Sequence, residues 1–100
     1  MALKQLMLRK KLEAAKAEAE QHRSGHAAFD ERRTKLQKRE KDAEAAVGEL
    51  TADSTKEERD AVETEANAID ADNTALDKEI ADHEAEQKRL DGVVTDLENE

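Results

Sequence analysis

The chain has 100 residues, 43 of them charged and only one aromatic, with no Cys, Pro, Trp or Tyr and a net charge of −9. Alanine supplies 18 of the 36 hydrophobic residues, so the larger apolar side chains are too few to fill the interior of a compact domain of this length. Composition therefore leaves no room for a globular enzyme, a disulfide framework or a thiolate metal site, and no apolar run approaches the roughly 18 residues of a membrane span.

The opening MALKQLMLRKKL is interrupted by Lys4 and Gln5, and no small-residue cleavage site follows, so it does not read as a signal peptide; a cytoplasmic location is expected. From Leu8, alternating steps of four and three residues give Leu8, Leu12, Ala15, Ala19, His22, His26, Phe29, Arg33, Leu36, Glu40, Ala43, Val47 and Leu50 without a slip. This heptad predicts a first helix over about 2–50, with Ser24-Gly25 as its expected kink. Thr51-Ala-Asp-Ser-Thr-Lys-Glu-Glu58 then carries two overlapping capping boxes, Ser54 with Glu57 and Thr55 with Glu58, which predict a turn near 51–54 and a helix restart near 55. A second heptad series, Val62, Ala66, Ile69, Asn73, Leu76, Ile80, His83, Gln87, Leu90, Val94 and Leu97, predicts a second helix over about 55–98. The two series are out of phase, and neither a single stutter nor a single stammer reconciles them on one continuous helix.

Charge favours a fold-back. Residues 1–41 hold 12 basic and 6 acidic side chains, whereas residues 42–100 hold 5 basic and 20 acidic. An antiparallel hairpin sets the basic helix beside the acidic one, while a straight parallel dimer would oppose like charges. The expected fold is all-α, two long helices in an antiparallel coiled-coil hairpin forming one segment over 1–100. The preferred register sets Leu12 on Leu97, Ala19 on Leu90, His22 on Gln87, His26 on His83, Phe29 on Ile80, Leu36 on Asn73 and Val47 on Val62. A competing register sets Ala15 on Gln87 and Phe29 on Asn73.

Met1, Leu3, Leu6, Met7 and Leu8 fall largely outside this seam and spread over more than one face. Long helices draw most of their stability from packing, so homo-oligomerisation is expected, using these residues with Leu12, Phe29, Leu36, Leu76, Ile80, Leu90 and Leu97. His22, His26 and His83 form the one cluster with metal-ligand chemistry, and a shared layer of imidazoles could instead sense pH; helicity unchanged from about pH 8 to 5 would rule that out. Arg33, Glu40, Asn73 and Gln87 are polar residues at core positions, the type that fixes register at a cost in stability. The basic run Arg32–Lys41 lacks aromatic partners for stacking bases, and Lys4, Arg9, Lys10 and Lys11 surround leucines as in a membrane-surface helix. No nucleic acid, membrane, cofactor or resident metal is expected. Carboxylates are spread over helix surfaces with no pocket to perturb them and no catalytic constellation, so no enzyme is expected.

The opening M-A-L-K-Q-L-M-L-R-K-K-L-E-A-A, the middle R-E-K-D-A-E-A-A-V-G-E-L with its S-T-K-E-E-R-D-A-V-E-T-E restart, and the closing A-L-D-K-E-I-A-D-H-E-A-E-Q-K-R-L resemble the N-terminal delta segment of HK97-type tailed-phage major capsid proteins. The resemblance spans nearly all of the chain. It implies a coiled-coil scaffolding role inside the immature procapsid, in the host cytoplasm, with the capsid body of the same or neighbouring subunits as partner. It also implies removal by a phage maturation protease. The β-rich capsid body that follows in that family is absent from these 100 residues, so the chain would be the scaffold part alone. The residues themselves leave two alternatives open: a free-standing coiled-coil adaptor or spacer, and a nucleic-acid or membrane-surface binder acting through the basic first helix.

Overall fold

The computed structural model describes residues 2–100, and among these there are three helices and no strand: α1 (Ala2–Ser24), α2 (Ala27–Glu49) and α3 (Lys56–Glu98). The fold is all-α and the helix contacts are those of an antiparallel hairpin, as the two heptad series require. No helix is long and apolar enough to cross a membrane.

The first predicted helix is interrupted where Ser24-Gly25 suggested. The amides of Gly25 and His26 reach back three residues instead of four, to the carbonyls of His22 and Arg23, each at 3.1 Å. The interruption is thus a single tightened turn. Gly25 is not in the left-handed region; what needs a glycine is space. A Cβ there would lie 3.3 Å from the His22 carbonyl oxygen and 3.6 Å from His83 Nε2. Gly48 and Gly92 have nothing within 4 Å of that position. Gly48→Ala and Gly92→Ala are therefore expected to stabilise the fold by about 1 kcal/mol each in urea unfolding followed by circular dichroism. Gly25→Ala is expected to give no comparable gain.

Between α2 and α3 the chain turns through residues 50–55. Of the two capping boxes, Thr55 with Glu58 starts the helix: Thr55 Oγ1 accepts the Glu58 amide at 3.1 Å. Ser54 serves the turn instead, its Oγ accepting the Thr51 amide at 2.8 Å. Arg59 closes the loop by donating to the carbonyls of Thr51 (2.5 Å) and Ser54 (3.4 Å).

The described residues fall into two packed units. One comprises residues 28–79, in which α2 lies antiparallel to the first part of α3. Its buried side chains are Leu36, Ile69 and Leu76, the last with no exposed surface. Phe29, Arg33, Ala43, Leu50, Val62 and Asn73 are half-buried around them. Arg33 donates to Asn73 at 2.9 Å and Arg32 to Glu79 at 2.5 Å. Three expected seam positions need correction: Glu40, Val47 and Ala66 are exposed, while Arg39, Ala46 and Ala68 are half-buried in their stead. The rotation of α2 brings Arg39 onto Glu65 and Asp72 of α3 and leaves Val47 outward, while Glu40, though exposed, still accepts a hydrogen bond from Asn73 Nδ2 at 2.7 Å. A cation replaces a carboxylate beside an acidic helix, and the small Ala46 replaces Val47 near the turn.

The other unit comprises residues 2–27 and 80–100, with α1 antiparallel to the last part of α3. Ala19 and Leu90 are buried, a small residue matched to a large one. Leu8, Leu12, Ala15 and His22 are half-buried on α1, as is His26 in the turn after it; Ile80, His83, Gln87, Val94 and Leu97 are so on α3. Every one of these is a predicted heptad position.

Candidate functional site

The histidines that the sequence singled out do meet, in the unit formed by α1 and the end of α3. His22 and His83 stack with ring centroids 4.0 Å apart and planes at 13°, and the His26 ring is tilted 5.6 Å from that of His83. Their nitrogens point to protein partners. His83 Nε2 donates to the His22 carbonyl at 2.8 Å, on the oxygen that the Gly25 amide also uses. His22 Nδ1 bonds Gln87 Oε1 at 2.8 Å. Gln87 in turn donates from Nε2 to the Ala19 carbonyl (3.1 Å) and to Asp91 Oδ1 (2.9 Å). Asp91 also receives Arg23 at 2.9 Å. Stacked rings aim their nitrogens sideways and do not converge on one point, and no group of His, Cys, Asp or Glu among the described residues has the geometry to hold a metal ion. The layer is a polar clamp between two helices: it satisfies its own donors and acceptors, as partly buried polar groups must.

In the unit built on α2, the arginines of the basic run face α3. Arg32 pairs with Glu79, Arg33 with Asp77, and Arg39 with both Glu65 (3.0 Å) and Asp72 (2.7 Å). Their guanidinium groups are engaged on acidic partners within the chain, the use that the charge asymmetry of the two halves suggested. The hydrogen bond from Arg32 holds the Glu79 carboxyl below the usual glutamate range, and hydrogen bonds to Asp72 and Glu65 raise Arg39 above the usual arginine value. Within the last part of α3, Arg89 likewise depresses Glu86. These groups are solvent-exposed, so the pairs select register and orientation more than they add stability. A depressed carboxylate contributes above its unfolded value of 4.5, and the contribution disappears as pH falls through the lowered folded value. Glu79→Gln is accordingly expected to lower the melting temperature slightly at neutral pH, with the difference closing as pH falls below the usual glutamate range.

The residues expected to mediate self-association separate into three groups. Leu36, Leu76 and Leu90 are buried by the chain's own packing, so they are removed from the set available to a second molecule. Leu8, Leu12, Phe29, Ile80 and Leu97 are half-buried in the same seams. Leu3, Leu6 and Met7 remain, 71%, 46% and 50% exposed on adjoining turns of α1; Met1 lies outside the described residues. A further apolar feature was not anticipated. Ala43, Ala46, Ala61 and Val62, with Arg39, Asp42 and Glu65, line a groove of about 330 Å³ between α2 and α3. Its signal in the sequence was the alanine-rich stretch on both sides of the turn, which leaves the two helices without side chains large enough to fill the space.

Comparison with known proteins finds no matching protein family, no matching curated protein and no matching solved structure.

Proposed function

We propose that the chain is a coiled-coil scaffolding element that works by self-association, in the manner of the delta segment of an HK97-type phage major capsid protein. The observation that carries this reading is the exposure of Leu3, Leu6 and Met7 on one end of a fold whose buried side chains are all used internally. Exposed apolar groups gathered on one helix face mark a contact surface. The seam interrupts its leucine and isoleucine layers with alanine and polar ones, which suits weak and reversible association, and weak contacts let misplaced subunits exchange during assembly. The sequence resemblance supplies the setting: the interior of an immature procapsid, with capsid subunits as partners and a maturation protease that later removes the segment. The acidic second half would then face incoming DNA and repel it, a reason for that removal.

Sequencing the source reading frame past the codon for Glu100 tests the capsid assignment. A long continuation rich in strands, glycine and aromatics is expected. A stop codon at that point would instead favour the free-standing adaptor or spacer.

A further inference from the structure

We propose that self-association is head-to-tail: the basic, apolar start of α1 in one copy docks in the alanine-lined groove between α2 and α3 of another. This deepens the self-association reading above and rests on it. Residues 2–12 carry four basic side chains and no acidic one. Leu3, Leu6 and Met7 stand exposed among Lys4, Lys10 and Lys11. Glu100 lines this surface beside Lys4, Met7, Leu8 and Lys11; against the four cations of residues 2–12, a symmetric tip-to-tip contact still works against its own charge. The groove has the complementary character. Residues 42–65 carry nine acidic side chains and two basic ones. One of the two, Arg59, is committed to the turn carbonyls. The groove floor is Ala43, Ala46, Ala61 and Val62, and exposed Val47 extends the apolar surface beside it. A basic aliphatic tip thus meets an aliphatic groove in an acidic stretch, its rim carrying Asp42 and the ion pair of Glu65 with Arg39. The contact joins different surfaces of successive copies, so it propagates into rings or open chains and is not capped at a dimer.

The test reverses charge on each side. Lys4→Glu with Lys10→Glu alters the tip, and Asp42→Lys on the groove rim with Glu49→Lys further along α2 alters the acidic side; all four side chains are exposed, and circular dichroism checks that helicity is kept. Each double variant alone is expected to need about tenfold more protein to reach half-assembly by light scattering. Mixed one to one, the two are expected to regain wild-type association, because each altered surface then finds its complement on the other protein. Wild-type association should also weaken as salt rises from about 50 to 500 mM. Wild-type-like assembly by either variant alone, or a mixture that stays dissociated while the wild type associates, would overturn the head-to-tail contact and leave self-association standing. A wild type that stays monomeric throughout would overturn both.

Discussion

Leu76→Ala is expected to cost about 2–5 kcal/mol, the range for deleting a buried leucine side chain. Leu76 is the one side chain among the described residues with no exposed surface, and it sits between the half-buried layers of Asn73 and Ile80 on α3. Two helices cannot collapse around a cavity as a multilayer core can, because a pair that moves closer at one layer must also bend at the next. The loss is also large relative to the whole, since a chain of this length is stable by only about 5–15 kcal/mol. Urea unfolding monitored by circular dichroism should show a markedly lower midpoint for Leu76→Ala. Leu3→Ala, at a side chain 71% exposed, should stay within about 0.5 kcal/mol of the wild type when both are measured at low concentration. Equal effects of the two substitutions would mean that the seam described above is not what holds the chain together.

Gln87→Glu, a change of one atom in shape, is expected to destabilise by about 1–3 kcal/mol at neutral pH. The amide nitrogen of Gln87 donates to the Ala19 carbonyl and to Asp91, while its oxygen serves His22. A carboxylate keeps the bond to His22 but turns both donated bonds into contacts between oxygen atoms, one of them against the charge of Asp91. Protonation of the new carboxyl restores a donor, so the folded state raises its pKa. A group held above its unfolded value makes its cost at high pH and loses it as pH falls. The stability gap from wild type should therefore narrow on acidification from about pH 7 to pH 4, and a gap that widened would show that Gln87 acts through its oxygen alone.

Much of this architecture was written in residue spacing. Along α1 every heptad position from Leu8 to His26 faces the partner helix, and on α3 only Ala66 departs from the pattern. The interruption at Gly25 and the cap at Thr55 follow from local rules, a glycine beside a serine and a hydroxyl three residues before a glutamate. Legibility failed where a choice depended on the facing helix. Whether Glu40 or Arg39 turns inward is decided by Glu65 and Asp72, which lie across the turn. Heptad counting ranks the two positions by step, not by charge, so it names Glu40, which bonds Asn73 from an exposed position, and passes over Arg39, which is the more buried of the two. The histidine cluster shows the same limit. Spacing and register brought His22, His26 and His83 together, but Gln87 and the His22 carbonyl, shared with the Gly25 amide, determine where the nitrogens of His22 and His83 point. The groove near the turn is a property of what alanine does not fill, which no position-by-position reading expresses.

The central claim, that this helical hairpin is a self-associating element, is tested most directly by its mass as a function of concentration. Light scattering or sedimentation equilibrium with interference optics suits a chain without Trp or Tyr. The account predicts a mass that rises from the 11.2 kDa monomer toward dimers and larger species as concentration increases through the micromolar range, and that falls back when Leu6→Glu and Met7→Glu are introduced. A mass that stays at the monomer value at every concentration, with helicity intact, would contradict it.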